Sequence, residues 1–288
     1  MAKAFELIIQ QQMHEAVAAD PTANPEAALD RGWKTGLELI QRISANARYF
    51  TDSAAKIPLE VSRGDAAAGM AIDSYGRASA EFVRRPDGQS RVGFVAPRGG
   101  TSVSVDPIAL LRGAPDPELA TAFIEFVLSP RGQKLWAYRA GAPEGPIEQA
   151  LRRLPVRRDF YTAANRPFMT DPDEQPYVQA ESFVYEPGWT GSLFGAIRFL
   201  VRVMCVDTHE EQREAWRAII NHGMPPEALA AFHDLSGLGR AETLARIAPV
   251  LRAKDKVAEV RLARELVTAF RERYQRAHQL AIAHEVAP

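Results

Sequence analysis

Apolar residues recur at helical spacing from the first residues onward. Phe5, Ile8, Ile9, Met13 and Val17 share one face, with Glu and Gln between them, which predicts an amphipathic helix over Met1–Asp20. After the Asp20-Pro21 and Asn24-Pro25 breaks, Trp33, Leu37, Ile40 and Ile43 predict a second helix over Leu29–Ala47. Asp52 or Ser53 is placed to cap a short helix through Arg63, ended by Gly64. Short β-prone runs alternate with these helices: Arg48–Thr51, Ala67–Ile72, Ser79–Val83, Val92–Val95 and Ser102–Leu111.

Past the Gly113-Ala114-Pro115 turn the pattern becomes helical. Leu119, Phe123, Phe126 and Val127 form the apolar face of a helix over Glu118–Leu128, expected to pack into core. Ser129-Pro130 then opens a helix to Tyr138. Residues 152–188 are rich in Pro, Asp and Tyr and read as an extended connector. From Leu193 the chain reads as helices over 193–204, 208–222, 225–234, 240–252 and 254–284. Alternating helix and strand followed by helices alone predicts a mostly parallel α/β layer with an all-α C-terminal extension. The expected divisions are 1–150, a connector at 151–189, and 190–288.

Composition adds exclusions. The chain has 288 residues, 35 basic and 36 acidic, a net charge of −1. No global field points to nucleic acid. A single cysteine, Cys205, rules out an intrachain disulfide. No stretch reads as long and apolar enough to cross a membrane, and Met1–Asp20 does not read as a signal peptide. The six histidines are scattered without metal spacing. No serine elbow, phosphate-cradling glycine loop or dinucleotide fingerprint appears, so neither an enzyme nor a cofactor is expected.

An ordered set of short motifs runs from Ala45 to Trp136. It comprises the Gly64-Asp65 turn with Ala67-Ala68-Gly69, then Pro97 with Gly100-Thr101, then Gly113-Ala114, Pro117-Glu118-Leu119-Ala120, Phe123-Ile124, Phe126 and Ser129 through Gln133. Together they resemble the bacterial extracellular solute-binding proteins of ABC transporters, the ferric-iron/thiamine/polyamine-type class. The resemblance covers roughly residues 1–140 and implies a type II periplasmic-binding-protein-like α/β fold. In that fold two lobes close on a small solute. It also implies an ABC permease as membrane partner, a periplasmic location and no catalysis. Measured against that pattern the N-terminal lobe is incomplete, which leads to the expectation of a truncated N-terminus. A lobe sheet with an open edge would associate or be poorly soluble.

The resemblance directs attention to candidate contacts. Asp73, Ser74 and Tyr75 follow the expected Ala67–Ile72 strand, at the end where open α/β sheets bind ligands. Ferric-binding members carry two adjacent tyrosines there. Here Ser74 takes the first place, so Tyr75 is a metal ligand only if the solute is ferric iron. An organic or phosphorylated solute fits better. Ser53 at a helix start could meet an anion, and Gly100-Thr101 lies at the expected crossing between lobes. A competing expectation is a cytoplasmic interaction or regulatory protein that reuses a truncated binding lobe.

Overall fold

The computed structural model describes residues 2–97 and 99–284. Met1 and residues 285–288, which the expected first helix and C-terminal region include, lie outside the described residues. The chain divides into two compact units, 1–52 with 185–288, and 53–184. The first two helices are thus part of the C-terminal helical unit, whereas the sequence reading grouped them with residues up to 150.

The first unit is helical. α1 (Ala2–Ala19) and α2 (Pro25–Ala45) lie against each other, with Phe5, Ile9 and Met13 facing Trp33, Leu37 and Ile40, all buried. Asn24 caps α2, its side chain accepting from the N–H groups of Glu26 and Ala27. The contact is close because α2 presents glycines: a Cβ on Gly32 would sit 2.3 Å from Met13 Cα, and one on Gly36 would sit 2.7 Å from Ile9 Cα. The rest of the unit is α8 (Pro187–Thr190), α9 (Phe194–Val201), α10 (His209–Asn221), α11 (Pro226–Phe232), α12 (Arg240–Glu242), α13 (Ala248–Ala253) and α14 (Lys256–Ile282). Pro187–Val206 is, against expectation, long and apolar enough to cross a membrane by length and composition. Ala196, Ile197, Leu200, Val203 and Met204 are nevertheless buried, as in a core helix.

Several polar groups buried in this unit are hydrogen-bonded to one another. Glu6, on what reads as the polar side of α1, accepts from Tyr185 Oη at 2.6 Å and Thr190 Oγ1 at 2.7 Å. Gln10 Nε2 donates to Thr190 Oγ1 at 2.7 Å and its Oε1 accepts from the Glu186 N–H at 2.9 Å. A π-helical turn at Arg202–Val206 alters the hydrogen-bond ladder. There the Met204 carbonyl accepts from Thr208 Oγ1 at 2.7 Å and from Tyr274 Oη at 2.9 Å.

The second unit corrects the expected fold class. Helices make up 60% of the structure and strand 1%, with no sheet among the described residues, so the structure is not the type II α/β fold. Two isolated bridges, Arg84 with Ser90 and Tyr138 with Met169, are the pairings outside named strands. Residues 48–51, 67–72, 92–95 and 102–111 are irregular, and 102–111 is mostly exposed. Residues 79–82 belong to α4 (Asp73–Phe82), where Arg77, Ala78, Ala80 and Glu81 favour helix. The physical reason is that a strand is stable only when a neighbour takes up its N–H and C=O groups and one face is covered. Among the described residues none of these runs joins a sheet.

The helices of this unit match the sequence reading better. α3 (Lys56–Arg63) ends at Gly64, whose φ is 87°. Its N-cap is Ala55 rather than Asp52 or Ser53, and no side chain caps it. α5 (Pro117–Leu128) is capped by Asp116, and α6 (Pro130–Ala137) by Ser129, whose Oγ accepts from the Gly132 N–H at 3.1 Å. Contrary to expectation, α5 buries no residue. The expected connector folds instead into the unit's small core, where Tyr138, Phe160 and Met169 pack with Ala137.

Candidate functional site

Every candidate contact residue falls in the 53–184 unit. Asp73, Ser74 and Tyr75 form the first turn of α4, following an irregular stretch rather than a strand. The site therefore depends on a helix start and not on a sheet edge. The α4 N-cap, Ile72, has no side-chain cap bond. A helix start of this kind offers outward-pointing N–H groups and a partial positive charge.

Two side chains on this turn are buried with unmet hydrogen-bonding capacity. Ser74 is 3% exposed and its Oγ has no partner. Arg77, 7% exposed, lies three residues on, and neither its Nε nor its Nη1 is hydrogen-bonded. Residues i and i+3 share a helix face, so both residues stand on one side of α4. Such groups are rare in folded proteins because each loses hydration without a replacement bond. Carboxylates stand near the guanidinium, with Glu174 Oε2 3.3 Å from Nη2 and Asp73 Oδ2 3.8 Å from Nη1. Gln179 Nε2 donates to the same Glu174 oxygen at 2.7 Å. The Arg77 guanidinium lies over the Phe94 ring at 5.4 Å, and Phe94 also closes against Gly76.

The polar face of α4 continues for two more turns. Glu81 pairs with Arg152 at 3.4 Å, and Arg152 pairs with Asp171 at 2.6 Å. Tyr161 and Tyr177 stand edge to face nearby, with burial first and Tyr177 second pushing the Tyr161 phenol well above its ordinary value. Tyr161 is thus a neutral hydroxyl whose proton is already donated to the Pro155 carbonyl at 2.8 Å.

The other candidates lie elsewhere in the unit. Ser53 is exposed three residues before α3, where its carbonyl accepts from the Lys56 N–H at 3.3 Å. Gly100 and Thr101 occupy the turn after Pro97, whose carbonyl accepts from the Gly100 N–H at 3.2 Å. Tyr75 is 39% exposed. Among the described residues no group of three or more His, Cys, Asp or Glu is placed to hold a metal ion. Cys205 is fully buried in the other unit, and burial pushes its thiol up to about 12.

Sequence reasoning found the α4 turn but missed Arg77 and Glu174. Arg77 carried a usable signal, its spacing of four from Asp73 and three from Ser74. Glu174 carried none, because it lies about a hundred residues downstream in a segment without periodicity.

No curated protein and no solved structure matches the chain. Residues 3–139 match the family model described as bacterial extracellular solute-binding protein. The match spans α1 to α6, including the α4 turn, and stops before the segment that supplies Glu174 and Arg152. Over residues 3–139, just under half of the chain, the sequence is therefore similar to the bacterial extracellular solute-binding proteins.

Proposed function

We propose that the protein is the solute-binding component of a bacterial ABC importer, working outside the cytoplasmic membrane and handing its solute to a membrane permease. The observation that carries this reading is the family match over residues 3–139. Within it, the first turn of α4 is the part of the chain best suited to hold a polar solute. Its helical N–H groups, Ser74 Oγ and the Arg77 Nε and Nη1, which lack hydrogen bonds, are all donors, so they call for oxygen acceptors on the ligand. An organic or phosphorylated solute supplies these. Ferric iron fits poorly, because Tyr75 is the sole phenol on the turn and a hard trivalent ion needs several anionic oxygens. Binding, rather than catalysis, is the role this arrangement supports.

Calorimetric titration with phosphorylated sugars, thiamine, polyamines and ferric ion tests this reading. Saturable binding of one of the oxygen-rich organic solutes is expected, with Ser74→Ala and Arg77→Met each weakening it about tenfold, the loss of one charge-assisted contact. No heat from any of the four classes, or binding indifferent to both substitutions, would count against the assignment.

A second reading, a cytoplasmic interaction or regulatory protein, draws on one observation. The match ends at residue 139, and the chain continues to residue 288 with a largely helical second half. Adjacent genes for a permease and an ATPase would favour the importer over this alternative.

A further inference from the structure

The charges around the first turn of α4 decide which oxygen-bearing groups it suits. Arg77 has two carboxylates beside it, Glu174 at 3.3 Å and Asp73 at 3.8 Å. Arg152 stands between Asp171 at 2.6 Å and Glu81 at 3.4 Å, and Glu81 is also paired with Arg84 at 2.9 Å. These groups form one assembly. Arg77 and Glu81 share a face of α4 at i and i+4, and the Glu174 N–H donates to the Asp171 carbonyl at 3.4 Å, so both of the distant carboxylates come from one turn. The positive charge is therefore already matched, yet hydrogen-bonding capacity remains. Ser74 Oγ, Arg77 Nε and Nη1 and Arg152 Nε lack partners as donors, and Asp171 Oδ2 lacks one as an acceptor.

We infer that this part of α4 recognises the uncharged hydroxyl groups of a sugar or polyol. The inference deepens the solute-binding reading and rests on it. A hydroxyl accepts from a guanidinium and donates to a carboxylate, so neighbouring hydroxyls fit a set that offers both. A phosphate supplies acceptors alone, and at Arg77 it meets two carboxylates for one guanidinium. At comparable distances their repulsion exceeds the attraction. A polyamine supplies donors alone and leaves the guanidinium nitrogens unbonded. A sugar phosphate is held here through its hydroxyls, with the phosphate directed elsewhere. Residues 171–175 are irregular, so the turn that bears Asp171 and Glu174 can lift from α4 to admit the solute without unwinding a helix.

Calorimetric titration of the full chain with glucose, ribose and myo-inositol, each beside its monophosphate, tests the inference. At least one of the three free compounds is expected to bind saturably, and at least as tightly as its phosphate ester. Its affinity should stay within about twofold as salt is raised to about 0.5 M, because an uncharged ligand has no charge to screen. Glu174→Gln removes one of the two carboxylates beside Arg77, so the ratio of affinities should move about tenfold towards the ester. Circular dichroism checks that the variant is folded. If it is not, the ranking of free compound against ester and the salt series on the wild type still decide. An ester bound about tenfold more tightly than its free compound would overturn the inference and leave the α4 site standing. So would binding of thiamine or a polyamine with none of the sugars bound. No binding of any of these solutes would sink the inference together with the solute-binding reading beneath it.

Discussion

At the scale of single residues, His233 gives the clearest pH signature. Burial first, then Arg42, lowers its imidazole to about 4 from the ordinary 6.5. Its ring stands edge to face on Phe232 and near Trp216, with Nδ1 3.1 Å from Gln41 Oε1. The folded protein holds the ring neutral while the unfolded chain takes a proton below pH 6.5, so stability falls as pH drops from 6.5 towards 4. The expected loss by pH 5 is about 2 kcal/mol. Urea unfolding at pH 7.5 and pH 5 measures it, and His233→Gln should remove most of the difference. An undiminished difference in the variant would mean that another group is responsible. Glu6 titrates in a lower window. Burial alone would raise its carboxyl, but hydrogen bonds from Lys3, Tyr185 and Thr190 outweigh that and hold it below 4.5. Its stabilisation is present above pH 4.5 and is lost as pH falls through the lowered value. Periodicity put Glu6 and Gln10 on a solvated face. Their partners at 185–190 lie some 180 positions away, beyond the reach of any local pattern.

At the scale of elements, the α1–α2 contact depends on the absence of side chains at two points. Gly32→Leu drives a side chain into the α1 backbone and should cost about 3 kcal/mol or more. Gly195→Ala, at an exposed position of α9 with open space around its Cα, should instead stabilise by about 0.5–1 kcal/mol. Thermal melts of the two variants should shift in opposite directions. A harmless Gly32→Leu would show that the helices can separate at no cost. Local chemistry did identify some helix ends, as at Gly64 after α3 and Ser129 before α6. These signals are legible because a cap needs only its own next few residues.

At the scale of the whole molecule, the two units differ in how much apolar surface they bury. The unit of 1–52 and 185–288 holds most of the fully buried large side chains, among them Trp33, Leu37, Leu200, Phe232 and Tyr274. The 53–184 unit buries chiefly Tyr138, Phe160, Met169 and Phe183. Burial of apolar area is the main source of stability, so the 53–184 unit should open first. Limited proteolysis is expected to cut within 103–111, which is irregular and exposed, before any site in α1, α2 or α14. First cuts in α14 would contradict the ranking.

The sequence by itself determined most of the longer helices, several of their caps and the likeness of residues 3–139 to the solute-binding proteins. Each rests on periodicity, on neighbours within a turn, or on motif order. It also singled out the first turn of α4 at Asp73–Tyr75, though with the wrong support beneath it. Only the tertiary structure decided that the β-prone runs stay unpaired, because a strand's stability lies in a neighbour that its own residues do not specify. It likewise decided that α1 and α2 join the C-terminal helices, through a core shared across some 150 residues of chain. Finally, it placed Arg77 buried beside Glu174, which makes a spaced pair of side chains on α4 into the polar centre of the candidate site.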